Sequence, residues 1–298
     1  NALCNDYGLD TISAGATIAW AMECYEAGLL TSDDTGGIDL RWGNAQAMLE
    51  ALEALAFRRG TFGNLLAEGS ARAAATLGPE AQARLITVKG SEAPAHMPQV
   101  KRSLGLIYAV NPFGADHQSS EHDSSYEESS GPRSLGWLAE LGLTRPVAAT
   151  SLGAEKVEFA LITQCWTSLT DAVNLCQFDW GATWQLYGPA MTPTVVAAVT
   201  GWDVDTKELM EVGARRVNLM KVFNAREGFT REDDKLSKRL HEPLTGGPSD
   251  GLQITEAELE TAKDLYYQMA GWDVETGNPT ADRLAELGIG WAAAYLPI

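Results

Sequence analysis

Of the 298 residues, 45% are hydrophobic and 21% charged, a balance that supports one large or two medium cores and excludes a disordered or fibrous chain. The formal net charge of −18 repels phosphate, which argues against nucleic acid or an anionic lipid surface as the partner. No window approaches about 18 consecutive apolar residues, so no membrane span is expected.

In chain order, the first strong pattern is Gly8–Leu30. Ile12, Ala16, Ala19 and Cys24 recur there at helical spacing, with Ile18, Met22 and Leu29, and Gly28 ends the run. Asp10 or Thr11 is the expected N-cap. The composition of Ser32–Gly37 is that of a loop, after which Asn44 caps a second helix, Ala45–Arg59, with an apolar stripe of Met48, Leu52, Leu55 and Ala56. Helical stretches follow at Phe62–Glu68 and Ser70–Leu77, Pro79 opens a third, and Ala83–Val88 has the pattern of a short strand.

From Lys89 to Asp123 the chain is punctuated by Gly and Pro and is too long for an ordinary connection, which marks either a binding site or an irregular linker. Ser124–Ser134 is Ser/Glu-rich and expected to be exposed. Helices are predicted at Ala154–Leu169, Asp205 to about Arg226, Glu256–Met269 and Pro279–Leu287. The class is mainly α. Cys4, Cys24, Cys165 and Cys176 form no C-x-x-C pair and no disulfide framework, which fits a reducing, cytoplasmic compartment. The absence of an initiator Met and of a targeting segment makes residue 1 read as an internal cut.

Three stretches, in order and spread over nearly the whole chain, resemble the tungsten-containing aldehyde:ferredoxin oxidoreductase family. They are Leu3–Gly15 with Ala21–Leu30; Val88-Lys89-Gly90-x-Glu92-x-Pro94-x-His96 with Gly105–Ala109 and Gly114-Ala115-Asp116-His117; and Phe223–Leu236 with Arg239 and Gly271-Trp272-Asp273. In that family a β-rich N-terminal domain and two helical domains enclose a tungsten held by two pyranopterin dithiolenes, beside a 4Fe–4S cluster. The resemblance implies two packed helical domains of the family's C-terminal type, residues 1–88 completing helical domain 2 and 89–298 forming helical domain 3.

Two related family motifs, D-x-x-G-L-D and D-x-x-G-L-C, touch the pterins. The first corresponds here to Asn5-Asp6-Tyr7-Gly8-Leu9-Asp10, where Asn5 keeps an acceptor oxygen but loses the charge. The resemblance implies pterin contacts from Asn5, Gly8, Leu9 and Asp10, although a helix entry capped by Asp10 explains Gly8 and Asp10 equally well. The second is Asp171-Ala172-Val173-Asn174-Leu175-Cys176, with Asn174 where Gly is usual, a residue that also visits the left-handed region. It implies that Asp171, Asn174 and Leu175 face the cofactor and that Cys176 is the fourth cluster ligand. The family's other three cluster cysteines, C-x-x-C-x-x-x-C, and its glutamate base would lie before residue 1.

His117 stands where the family places a histidine near metal and substrate, positioned to polarise a carbonyl. The family's lysine two positions later is Ser119 here, and His122 offers a second imidazole with no motif behind it. Arg226-Glu227-Gly228 and Arg231–Asp234 read as a salt-bridged helix end, with the arginines satisfying the neighbouring acids and Gly228 at C′. Trp166, Trp180 and Trp184 flank the second motif and are candidates either for a channel wall or for plain core.

The expected function is therefore that of a fragment of an enzyme oxidising aldehydes to carboxylic acids at a tungsten bis-pyranopterin (molybdopterin) centre. Electrons would pass through the 4Fe–4S cluster to a ferredoxin-type acceptor. The fragment alone is expected to be inactive and to bind neither group. Expected partners are a small aldehyde, the missing N-terminal domain and a second copy of the chain covering an apolar face at Gly8–Ala19. Two alternatives stay open: a non-catalytic helical scaffold, and a tungsten-dependent reductase of an aromatic acid or thioester.

Overall fold

The computed structural model describes residues 1–297. The fold is mainly α, and the chain divides into two compact units. The first takes in residues 1–95, 113–115 and 236–240, and the second the rest of the described chain.

In the first unit, helix α1 (Ala2–Tyr7) ends at Gly8, whose left-handed conformation (φ 69°, ψ 34°) lets its N–H return to Asn5 O and that of Leu9 to Cys4 O. Helix α2 (Thr11–Glu26) starts afresh with Asp10 as N-cap, its Oδ1 accepting the Ser13 N–H at 2.6 Å. Asp10 is one of the two expected N-caps, and the helical run stops just before Gly28, which takes a left-handed φ of 74° as an expected helix stop. Asn44 caps α3 (Ala45–Ala56) as expected, but the buried stripe is Ala47, Ala51, Leu52, Ala54 and Leu55, and Met48 is exposed. The alanines win the interior face because α4 (Gly60–Leu66) packs there at backbone distance: a Cβ on Gly63 would lie 2.2 Å from Ala54 O. Helices α5 (Ser70–Leu77) and α6 (Pro79–Gln82) follow. The expected strand shrinks to β1 (Thr87–Val88), paired antiparallel with β2 (Ser91–Glu92) through Lys89 and Gly90, both at positive φ as a tight hairpin turn requires.

Buried Glu92 then does structural work: its Oε1 accepts the Ser70 N–H and hydroxyl, each at 2.8 Å, and the Thr17 hydroxyl at 3.1 Å. The carboxylate so caps the start of α5 and ties it to α2. At Gly8–Ala19, where an apolar surface is expected, Gly8 and Gly15 are exposed and Ala16 and Ala19 half-buried. Leu9 and Ile12 are half-buried, and the exposed large apolar side chains of this unit include Trp42, Met48 and Phe57.

The second unit contains a helix that periodicity misses. Helix α7 (Arg102–Val110) lies inside the stretch expected to be irregular, and every residue from Ser103 to Val110 is buried. A helix that is covered all round carries no amphipathic signal. Helices α8 (Pro132–Glu140), α9 (Ala154–Ala172), α10 (Thr192–Thr200), α11 (Thr206–Arg226), α12 (Glu256–Ala270) and α13 (Ala281–Glu286) complete it. Tyr126, in the segment expected to be exposed, is buried and stacks on Phe159 at 4.9 Å. Helices α9 and α11 cross closely enough that a Cβ on Gly213 would fall 1.9 Å from Cys165 O. Gly228, at φ 96°, ends α11 in the expected manner, and Arg226 pairs with Glu227. Arg231, however, reaches Glu260 and Asp264 of α12 at 2.7 Å rather than its sequence neighbours. Among the described residues no helix is long and apolar enough to cross a membrane.

Candidate functional site

The residues leading into and out of α7 gather three imidazoles around one ammonium group. Lys101, the residue before α7, donates from Nζ to His96 Nδ1 (3.1 Å) and to His122 Nδ1 (2.9 Å). A lysine has only donors, so both Nδ1 atoms accept, and His122 is left to donate its Nε2–H to the His117 carbonyl at 3.1 Å. His117 stacks on His96 with centroids 5.0 Å apart. Burial first, and then the Lys101 charge, holds His96 down at about 4, and burial likewise lowers His117 and His122. Three neutral imidazoles result. Burial also lowers Lys101. The His117 Nδ1 is buried with no hydrogen-bond partner, an orphan beside a cluster in which both ring nitrogens of His122 are engaged.

The loop carrying His117 is fixed from both ends. Gly114, at φ 88°, passes so close to the hairpin that a Cβ would meet Val88 O at 2.4 Å, so only glycine serves there. Ser119 donates to Asp116 Oδ2 at 2.6 Å and accepts from Asn111 Nδ2 at 2.9 Å. Asp123 receives the Ser103 and Leu104 N–H groups at the start of α7 and pairs with Lys156 Nζ at 3.0 Å, both side chains fully buried. Lys101 and the Lys156–Asp123 pair were not anticipated from the sequence. Both lysines sit in ordinary-looking segments and acquire their roles through tertiary contacts, Lys101 with His96 and His122 and Lys156 with Asp123.

The two motif segments lie in different units. Asn5 and Asp10 are exposed, Leu9 is half-buried, and Gly8 is the left-handed residue between α1 and α2. At the end of α9, Asn174 takes φ 58°, and the Leu175 N–H returns to Thr170 O at 2.9 Å. Asp171 pairs with Arg216 at 3.1 Å and Cys176 is an exposed free thiol. Cys4 and Cys24 are buried, and burial pushes Cys24 and Cys165 up to about 11.

Beyond His122 lies a pocket of about 210 Å³. Trp166, Trp180 and Trp184, singled out in the sequence, all line it, together with Ser120 and Glu121. Trp166 is also core, whereas Trp184 is 57% exposed.

Whether these residues suit a metal or cofactor turns on their donors. Among the described residues no group of three or more His, Cys, Asp and Glu side chains is arranged to hold a metal ion. An exposed thiol at Cys176 suits one ligand of a cluster completed by other residues, and the orphaned His117 Nδ1 suits a hydrogen-bonding role beside a bound group.

The family profile and the curated relatives agree on one family. A profile described as aldehyde ferredoxin oxidoreductase, domains 2 & 3, matches residues 1–289. The tungsten-containing aldehyde ferredoxin oxidoreductases of Pyrococcus furiosus and Thermococcus kodakarensis are each 34% identical over 293 residues, covering 97% of this chain and 44% of the relative. The chain therefore spans less than half the length of these relatives. A solved structure of the active site complex BamBC of benzoyl coenzyme A reductase, in complex with 1,5-dienoyl-CoA, shares the fold. Its TM-score is 0.73 at 22% identity, covering 98% of this chain and 46% of that one.

Proposed function

This chain belongs to the aldehyde ferredoxin oxidoreductase family, and from that premise we propose that it is the helical part of an enzyme oxidising an aldehyde to a carboxylic acid. The observation that carries the reading is His117: a neutral imidazole with a buried, unpartnered Nδ1, stacked on His96 and with its carbonyl held by His122.

In this reading the intact protein binds a tungsten bis-pyranopterin and a 4Fe–4S cluster, which when bound supply two-electron oxidation of the substrate and single-electron relay to a ferredoxin-type acceptor. Asn5, Gly8, Leu9 and Asp10 serve one pterin, and Asp171, Asn174 and Leu175 the other. Cys176 gives one thiolate to the cluster. His117 hydrogen-bonds the substrate carbonyl. Lys101 and His122 position it: the ammonium fixes the tautomer of His122, and His122 holds the His117 backbone. Residues 1–88 complete the family's second domain and 89–298 form its third. A chain that supplies one cluster thiolate is inactive until an N-terminal part supplies the rest. The net charge of −18 favours an uncharged substrate and a protein acceptor over nucleic acid or a membrane surface.

The test is metal analysis and viologen-linked aldehyde oxidation on the intact protein prepared without oxygen. Tungsten, iron and aldehyde-dependent dye reduction are expected, with His117→Asn lowering kcat by about 10²–10³-fold, as for loss of one preorganised donor. An intact protein without tungsten or molybdenum and without aldehyde oxidation would overturn the reading.

A further inference from the structure

The pocket beside His122 is built, not incidental. Gln185 folds back on its own loop, so tightly that a Cβ on Gly181 would fall 1.9 Å from its Cδ. Its Oε1 accepts the Thr183 and Trp184 N–H groups at 3.1 and 3.0 Å, and its Nε2 donates to Glu121 Oε1 at 3.3 Å. Glu121, 6% exposed, also accepts the Thr183 hydroxyl at 2.8 Å and the Ala182 N–H at 3.3 Å. One buried carboxyl group thus organises the loop that presents Trp184. Trp180 is braced by Tyr187 at 4.7 Å and Trp184 by Phe178 at 5.9 Å. Ser120, 4% exposed and in the wall, has a hydroxyl with no partner. A buried hydroxyl left unpaired within a preformed polar shell is a place for a ligand's polar atom.

The chemistry of the wall defines that ligand. The pocket's 210 Å³ is below the ~300–1,000 Å³ of sites for drug-sized molecules, so the ligand is small. Three indoles line it, a composition that suits a flat ring. Among the described residues no Lys or Arg lines the pocket, and its ionisable walls are Glu121 and His122. Both ring nitrogens of His122 are already engaged, by Lys101 and by the His117 carbonyl, so it offers only its ring. Nothing in the wall compensates an anion, and Glu121 opposes one. We propose that this pocket is a specificity site for a small neutral aromatic carbonyl compound, its ring against Trp180 and Trp184 and its oxygen at Ser120, and that Glu121 bars the corresponding carboxylate. The proposal rests on the aldehyde-oxidising reading for its biological sense: substrate enters uncharged, and the anionic product is disfavoured where it forms.

Calorimetric titration of the intact protein with benzamide, benzoate and propionamide tests it, because none of the three is an aldehyde and binding needs no turnover. Benzamide should saturate one site, with benzoate and propionamide at least about tenfold weaker. Trp184→Ala, at an exposed position that leaves the fold alone, should weaken benzamide about tenfold, whereas Trp42→Ala, an exposed tryptophan of the other unit, should not. Glu121→Gln should narrow the gap between benzoate and benzamide. Benzoate binding as well as benzamide, or benzamide indifferent to Trp184→Ala, would overturn the proposal. An enzyme that oxidises aldehydes but shows either of those results keeps its proposed function and loses this pocket. A protein without tungsten or activity that still binds benzamide through Trp184 does the reverse.

Discussion

Gly8 and Asn174 adopt the same left-handed backbone conformation, at φ 69° and 58°, at corresponding positions of the two motif segments. In each, the following leucine sends its N–H back five residues, Leu9 to Cys4 O at 2.8 Å and Leu175 to Thr170 O at 2.9 Å. The same helix-ending device is therefore built twice, once with glycine and once with asparagine, whose short polar side chain tolerates this region better than other residues do.

Because a Cβ on Gly8 would meet nothing within 4 Å, Gly8→Ala tests conformation alone. It should cost about 1–2 kcal/mol in urea unfolding, as should Asn174→Ala, while Asn174→Gly should be neutral within a few tenths of a kcal/mol. Equal stability of the alanine and glycine variants at position 174 would mean that the left-handed turn is not what the position requires.

The sequence made the two turns visible because turn chemistry is local: Gly8, Asn174, Asp10 and Asn44 each announce a cap with their own side chain or lack of one. The amphipathic helices α3, α9, α11 and α12 were legible for the same reason. Helix α7 was not, since its burial on all sides removes the polar face that periodicity detects. At the site, His117 was found through a motif and the three tryptophans by their position beside one. Lys101 and Glu121 gave no signal, because the environment that gives each its role comes from partners far away in the chain or from loop folding that propensity does not encode.

The buried pair Lys156–Asp123 predicts a large and non-additive stability effect. Lys156→Met leaves Asp123 charged at 0% exposure and should cost about 3–5 kcal/mol. Asp123→Asn should cost a similar amount, since it strands the ammonium. The double variant should lose clearly less than the sum of the two, with the remainder reflecting the Ser103 and Leu104 N–H groups that Asp123 also serves. Additive losses would show that the two side chains are not coupled.

The histidine cluster predicts an acid-sensitive native state. His96 is depressed from the ordinary 6.5 to about 4, and His117 and His122 are depressed too, so the unfolded chain takes up protons first as pH falls. The stability these groups support is complete above about pH 6.5 and is lost progressively toward about pH 4. Imidazole NMR titration should place His96 near 4. Lys101→Met should raise His96 and His122 only part of the way to 6.5, because burial is the larger cause and survives the substitution. A full return to 6.5 would assign the shift to the lysine charge instead.

The thiols should separate by accessibility, and this bears on the proposed cluster ligand. Cys176 is exposed, Cys4 and Cys24 are buried, and burial holds Cys24 and Cys165 at about 11, roughly a hundredfold further from the reactive thiolate than the ordinary 9.0. With Ellman's reagent this chain should show one fast thiol, removed by Cys176→Ser, and slow reaction of the others until denaturant is added. In the intact, metal-loaded protein that fast thiol should vanish and reappear on chelation of iron, because a thiolate bound to iron is no longer a free nucleophile. Persistence of a fast Cys176 in protein that contains a full cluster would remove it from the ligand set, while the exposed, left-handed turn that presents it would stand unchanged.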